Sequence, residues 1–342
     1  VIRVAILSFW HVHAKDYAQQ AIAHPDTEIA AIWDEVPERG RQKATEYGVP
    51  FYERLDDVLA LPDVDGVIVV TPTNRHRDVM TAAAEAGKHI FTEKVLALTT
   101  GDCEAILAAV RKSGVTLTVS LPRLNMAFTQ AVNAILQAGQ LGQLTLARLR
   151  LAHNGALPTE TSTLGSLPAH FFSLEQAGGG ALIDLGCHPM YLARLFLGMP
   201  ESLHASFGYV TGKEVEDSAV AVLRYPDGAL GIVEAGFVNS YSQFNLEIQG
   251  TLGSLSYSRQ DDKLYVRGAG FAGAEKEWRS WTDLPSALPS SFEQWVTHIQ
   301  QGTTADENIQ LALDLTRLME ASVKSVQSGG AVSLCEIPAS GV

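Results

Sequence analysis

Short apolar runs, each separated from the next by one helical pattern, fill the first 120 or so residues. This alternation constrains the fold more than any other feature. Val4-Ala5-Ile6-Leu7 is the first run, and Ala14, Tyr17, Ala18, Ala21 and Ile22 then recur at helical spacing. Ile29 to Trp33 follows and ends at Asp34, and the next helix stops at Gly48. Gly66 to Val70 and His89-Ile90-Phe91 are the third and fourth runs, with a helix between them that stops at Gly87. A helix from Asp102 to Lys112, stopping at Gly114, leads to a fifth run, Val115 to Val119. Strands joined by single helices imply a parallel, doubly wound α/β sheet. Such sheets take ligands beyond the carboxyl ends of their strands. Those ends are Leu7-Ser8, Trp33-Asp34, Thr71-Pro72 and Thr92-Glu93-Lys94.

The pattern changes near residue 121, which predicts two domains, 1–121 and 122–342. After a helix around Phe128 to Ala138, strand patterns dominate: Leu144 to Ala152, Leu203 to Tyr209, Ser218 to Tyr225, Ala229 to Ala235, Asn245 to Gln249, Ser254 to Tyr257 and Lys263 to Arg267. Asp227-Gly228 is a hairpin signal between two of them. Sequential strands with short turns predict an α+β domain built on a mostly antiparallel open sheet. Two late helices, near Phe292 to Gln301 and Asn308 to Ser328, are expected to cover that sheet. His153 to Glu175 has little periodicity and reads as a loop offering His153, Asn154 and His170 as polar contacts.

A net charge of −13 with no Lys/Arg run disfavours nucleic acid and anionic membranes as partners. No apolar run approaches the roughly 20 residues that span a bilayer. VIRVAILSFW reads as a first strand and not as a signal peptide. Three scattered cysteines, Cys103, Cys187 and Cys335, fit a reducing cytoplasm without a disulfide framework. Cys187 reads as a small buried thiol, and no metal site is expected.

Asp34 ends the second strand, where an acid accepts hydrogen bonds from an adenosine ribose and repels a 2′-phosphate. That favours NAD, while Arg39 and Arg41 keep NADP open; a helix-capping carboxylate is the plainer alternative. The first loop, Ser8-Phe9-Trp10-His11-Val12-His13, lacks the glycine fingerprint of a dinucleotide site, with Ser8, Trp10 and His13 at the glycine places. The helix N-terminus at His13 can still offer backbone N–H groups to phosphate. Thr71, Pro72, Thr73 and His76 form a loop able to line ribose and nicotinamide, or simply a capped turn. Lys94 follows an apolar strand at the ligand edge, where it can donate to a substrate oxygen or merely open the next helix.

The second candidate stretch is GGGALIDLGCHPMYLARLFLG, from Gly178 to Gly198. Asp184 and His188 are four apart, on one side if the segment is helical. A carboxylate beside an imidazole suits a general base. The same spacing also suits a buried amphipathic helix with a glycine C-cap. Pro189 predicts a kink or a fresh helix start beside His188.

Taken in order, TPTNRH, EKV, GGGALIDLGCH, VEDSAVAVLRYPDGALG and GTLGS give nearly the whole chain a family look. The chain resembles the Gfo/Idh/MocA oxidoreductases, which include glucose-fructose oxidoreductase and inositol dehydrogenases. The resemblance implies a Rossmann domain followed by a domain whose open sheet often forms the oligomer interface, hence a homodimer or homotetramer. It places the family's catalytic lysine on Lys94 and its D-x-G-x-H motif on Asp184, Gly186 and His188, with Asp34 as the ribose acid. Ser8, Phe9, Trp10, His11, Val12, Thr71, Pro72, Thr73, His76, Glu93 and Lys94 would line NAD or NADP. Lys94, Arg123, His153, His170, Asp184, His188 and Tyr191 would meet the substrate. The chain departs from the family pattern at the glycine loop, at Val95 in place of proline, at Thr73 in place of asparagine, and at Tyr191 in place of a second carboxylate.

The resemblance implies an NAD(P)-dependent dehydrogenase or reductase acting on a secondary alcohol or ketone of a sugar, polyol or cyclitol. A non-catalytic dinucleotide or sugar sensor is the second expectation, to which the glycine-poor loop points. A glycoside hydrolase with recycled NAD is the third.

Overall fold

The computed structural model describes residues 1–160, 162–163, 165–240 and 243–337. The last five positions of the second expected domain, 338–342, lie outside the described residues. The chain forms two compact units, one of residues 1–122 with 289–313, the other of residues 123–288 with those from Asp314 on.

In the first unit six strands form a parallel sheet: β1 (Ile2–Leu7), β2 (Thr27–Trp33), β3 (Phe51–Tyr52), β4 (Gly66–Val69), β5 (His89–Thr92) and β6 (Leu117–Val119). Their order is β3-β2-β1-β4-β5-β6, the doubly wound order whose ligand crevice opens where the strand order reverses, beside β1. Helices α1 (Ala14–Ala23), α2 (Pro37–Tyr47), α3 (Leu55–Leu59), α4 (His76–Glu85) and α5 (Thr100–Ser113) connect the strands. Strands β1 and β4 are buried almost throughout, as a sheet covered on both faces requires.

Several elements differ from the sequence expectation, among them the short α3, α7 (Leu174–Ala177) and β14 (Arg279–Ser280). Two-residue β3 adds a sixth strand. In the second unit, β15 (Val332–Ser333) adds a short edge strand beside β8 (Ser202–Gly208). Helix α9 (Ser291–Gln301), expected over the antiparallel sheet, instead packs into the core of the first unit. Its Phe292, Trp295 and Val296 join Val4, Ile6, Ile68 and Phe91 there. Gly66 is small because Trp295 lies on it: a Cβ at Gly66 would come within 2.9 Å of the indole. At the far edge the Asn308 amide mimics a further strand, donating to Val119 O at 2.9 Å and accepting from Val119 N at 2.8 Å.

The second unit carries nine strands: β7 (Leu144–Ala152), β8, β9 (Ser218–Arg224), β10 (Leu230–Gly236), β11 (Asn245–Gly250), β12 (Gly253–Ser258), β13 (Lys263–Gly268), β14 (Arg279–Ser280) and β15. Their order is β14-β13-β12-β11-β7-β10-β9-β8-β15, and every pair is antiparallel except β7 with β10. The β9–β10 hairpin turns at Gly228, whose φ of 89° suits glycine. Helix α8 (Cys187–Leu197) packs on β7 and β10 with α6 (Ala127–Gln137) against it, and the short α7 packs with the turn that precedes it. The long α10 (Asp306–Ser328) joins this unit from Asp314 on, where the Asp314 carboxylate takes the Arg194 guanidinium of α8 at 2.7 Å. Among the described residues no helix is long and apolar enough to cross a membrane.

Candidate active site

The first loop of the Rossmann-like unit is built on Asp34 and not on glycine. Ser8 takes the left-handed backbone that glycine usually supplies, with φ of 84°. Its Oγ accepts from Trp10 N at 3.0 Å, and its N–H donates to Trp33 O at 2.7 Å. Phe9 N donates to Asp34 Oδ2 at 2.9 Å. The Phe9 ring turns into the core and stacks on Tyr47. Trp10, whose bulk stands where a glycine is usual, is only 5% exposed. His11 is buried and Val12 exposed. His13 caps α1, and the N–H groups of His13 and Ala14 donate to His11 Nδ1 at 3.2 Å and His11 O at 3.1 Å.

Asp34 is fully buried, and both of its oxygens are in use. Oδ1 accepts from Val36 N at 2.8 Å and Arg39 Nη2 at 2.7 Å; Oδ2 accepts from Phe9 N and from Arg39 Nε at 2.8 Å. The local fold thus takes up the acceptor capacity of Asp34. Its neighbour Glu35 gives Oε1 to Arg39 Nη2 at 2.7 Å, while Oε2 is buried with no partner. Thr71 Oγ1, at the end of β4, is likewise buried without a partner. Orphaned carboxylate and hydroxyl oxygens at these strand ends are the groups that pair with ribose hydroxyls, so the edge fits a dinucleotide.

His76, expected against the cofactor, joins two loops. Nδ1 lies 3.0 Å from Val95 O, and Nε2 lies 3.2 Å from Thr71 O. Burial pulls its pKa down, against the opposing backbone contacts. Pro72 and Thr73 lead from β4 into this joint through a single 3-10 turn.

Glu93 and Lys94 leave β5 side by side in the interior, with Lys94 Nζ 3.9 Å from Glu93 Oε1. Tyr17 donates to Glu93 Oε2 and lies 2.9 Å from Ser120 Oγ. Burial pushes the Glu93 pKa up, but the charges of His11, Lys94 and His13 and the Tyr17 hydrogen bond outweigh it, so the carboxyl sits below its usual range. Burial, then Glu93, pushes the Tyr17 phenol well up. Glu93 thus supplies the opposite charge that a buried Lys94 ammonium needs.

In the second unit the glycine-rich stretch becomes a π-helical turn, Leu182–Gly186, that runs into α8. π-turns are frequent at functional sites. Pro189 sits in the first turn of α8, the fresh start that its missing N–H favours. Asp184, half-buried, lies in the π-turn, and His188 opens α8. His188 Nδ1 lies 3.1 Å from Tyr191 Oη, which also accepts from Arg123 N at 3.0 Å. The buried Cys187 thiol donates to Asp184 O at 3.1 Å. The Arg123 guanidinium stacks over Phe244 at 4.4 Å, with Nε buried and unpartnered; burial holds its pKa below the usual arginine range. The His153 ring stacks on Phe237, which packs with Ala181 and Leu185 on either side of Asp184. His170 is half-buried against Phe171. His188, Tyr191 and Arg123 are thus directly joined, and His153 reaches the same run through Phe237.

Sequence reasoning missed the residue that holds this run. Glu216 Oε2 accepts from Gly180 N and Oε1 from Leu182 N, each at 2.9 Å, while Ala181 N donates to Glu216 O at 2.9 Å. A Cβ on Gly180 would lie 2.0 Å from Glu216 O, which explains the glycine. The signal was present in VEDSAV, but a cap supplied from 36 residues away in sequence leaves no local pattern.

Residues 2–121 match the model of an oxidoreductase family with an NAD-binding Rossmann fold, and residues 129–256 match the GFO/IDH/MocA C-terminal domain. The chain is 30% identical to 1,5-anhydro-D-fructose reductase of Ensifer adhaerens over 71% of its own length and 72% of that protein's. It is 30% identical to scyllo-inositol 2-dehydrogenase (NAD(+)) of Bacillus subtilis over 74% and 73%. Among solved structures, a levoglucosan dehydrogenase in complex with NADH and levoglucosan superposes with a TM-score of 0.81 at 21% identity, covering 99% of this chain and 100% of that one, a likeness of fold. The chain therefore belongs to the Gfo/Idh/MocA oxidoreductases and carries their NAD-binding Rossmann fold.

Proposed function

We propose that this oxidoreductase transfers a hydride between nicotinamide and a secondary alcohol or its ketone on a sugar, polyol or cyclitol. The relatives named above, a reductase of an anhydro sugar and a dehydrogenase of an inositol, support that substrate class. The observation that carries the reading is the fixed imidazole of His188. In the tautomer whose Nδ1–H donates to Tyr191 Oη, 3.1 Å away, Nε2 holds the lone pair that a general base needs. His188 takes the hydroxyl proton, and Asp184 stabilises the imidazolium that forms. Lys94, charged beside Glu93, donates to the substrate oxygen and stabilises developing alkoxide. Nicotinamide, when bound, supplies the hydride acceptor or donor. Arg123, His153 and His170 complete the polar contacts to substrate.

The outer sheet face supports assembly with a second copy into a homodimer or homotetramer. Val220, Val222 and Leu230 stand exposed there on adjoining strands, beside the Arg148–Glu234 ion pair. Light scattering on the purified protein tests this, with Val222→Glu expected to yield monomers. The activity itself is tested by screening inositols and sugars for nicotinamide reduction, with Lys94→Ala and His188→Ala as controls.

A further inference from the structure

The adenosine end of the dinucleotide site does not have the arrangement that an acid at the end of β2 would suggest. Asp34 is walled in. Gly40 packs against it so closely that a Cβ there would lie 2.8 Å from Asp34 Cβ. Its four acceptor positions are filled, two by the backbone that shapes the first loop and two by Arg39. A ribose hydroxyl arriving there finds no vacant lone pair. Two other groups stand beside it. Glu35 has one oxygen held by Arg39 and one buried oxygen with no donor. Arg39 remains partly exposed, with its guanidinium shared between the two acids and Ser8 Oγ at 3.4 Å. Arg41, the other cation of this helix, is drawn away to Glu53 and the Phe51 ring.

We propose that the adenosine 2′ position is read by the Glu35–Arg39 pair and not by Asp34, and that the site therefore takes both NAD and NADP. The inference rests on the dinucleotide reading above. A 2′-hydroxyl donates to the orphaned Glu35 Oε2, a charge-assisted bond that satisfies a buried acceptor. A 2′-phosphate takes the Arg39 fork, whose planar donors match phosphate oxygens and offset the repulsion from the two acids. Asp34 is a strut that shapes the loop through Phe9 N and orients Arg39. One guanidinium thus serves the protein carboxylates in one case and the ligand phosphate in the other.

Titration calorimetry with NAD and with NADP, on the wild type, Arg39→Leu and Glu35→Ala, tests this. Wild type binds both nucleotides. Arg39→Leu weakens NADP by about tenfold or more, the size of a lost charge-assisted hydrogen bond, and leaves NAD within roughly threefold. Glu35→Ala weakens NAD by roughly five- to tenfold and leaves NADP unchanged or tighter. A Kd ratio between the two nucleotides that neither variant moves overturns the inference while the dinucleotide reading stands. Wild type that binds NAD alone does the same. Wild type that binds neither overturns both. Should Arg39→Leu fail to fold because Asp34 is left unpaired, Glu35→Ala decides alone.

Discussion

His188 and Tyr191 face each other one turn apart on α8, with Nδ1 of the imidazole 3.1 Å from Oη of the phenol. The phenol is fully buried and is itself held by Arg123 N. The ring of the proposed base is therefore oriented by a neutral partner that is locked from behind. Tyr191→Phe keeps the packing and removes the hydroxyl. Turnover should fall by about two- to tenfold, the size of one hydrogen bond, with KM little changed. Steady-state kinetics checks this. A large rise in KM at constant turnover would assign Tyr191 to substrate contact instead.

Glu216 holds the start of the run that carries Asp184 and His188. Glu216→Ala leaves the buried N–H groups of Gly180 and Leu182 without their acceptor, at a cost of roughly 2–4 kcal/mol. Thermal melts should show it. The pH dependence has a definite sign. Burial raises the folded-state pKa of Glu216, with the backbone donors opposing. Below the unfolded pKa both states are protonated and no penalty exists. As pH rises from that value through the raised folded pKa, the folded state loses stability relative to the unfolded one. Glu216→Gln does not titrate, so the stability difference between wild type and Glu216→Gln should shift in the variant's favour across that window. A constant difference would contradict the assignment.

Asp34 is predicted to matter more for stability than for ribose recognition. Asp34→Ala removes the acceptor of two backbone N–H groups and leaves Arg39 with Glu35 as its one remaining carboxylate partner. Breaking a buried pair costs roughly 3–5 kcal/mol, and the partial solvation of Arg39 puts this one at the lower end. Calorimetric melting of the variant without nucleotide measures it. An unchanged Tm would contradict the strut role.

Ser8 combines a cost and a gain. Its left-handed backbone costs a residue with a Cβ about 1–2 kcal/mol, while its Oγ satisfies Trp10 N. Ser8→Ala keeps the cost and loses the acceptor, so it should destabilise by roughly 1–3 kcal/mol. Ser8→Gly loses both and should come out near neutral. Equal losses in the two variants would contradict the argument.

The strand ends of the first unit were readable because parallel strands buried on both faces appear as continuous apolar runs. β1 and β2 end where the runs end, β4 and β5 within one residue of it, and Lys94 follows from that placement. Two-residue β3 left no run to read. The stretch from Phe292 to Gln301 read as a helix, but a helix period does not say which sheet the helix covers. The Asp184–His188 spacing was visible, and Pro189 marked the new helix start. What secures that stretch was not visible, because Tyr191 reads as one more apolar residue of the stripe and Glu216 caps the run from a distant loop that precedes β9. Likewise Asp34 stood out by its position, whereas its saturation by Arg39 depends on a side-chain path that sequence spacing does not fix.

The most direct test of the account is nicotinamide reduction or oxidation by the purified protein across a panel of inositols, anhydro sugars and aldoses, with His188→Ala and Lys94→Ala in parallel. The account predicts turnover on at least one secondary alcohol or its ketone, reduced by about 10²–10⁴-fold in each variant while both remain folded. Turnover that survives in both variants would contradict it.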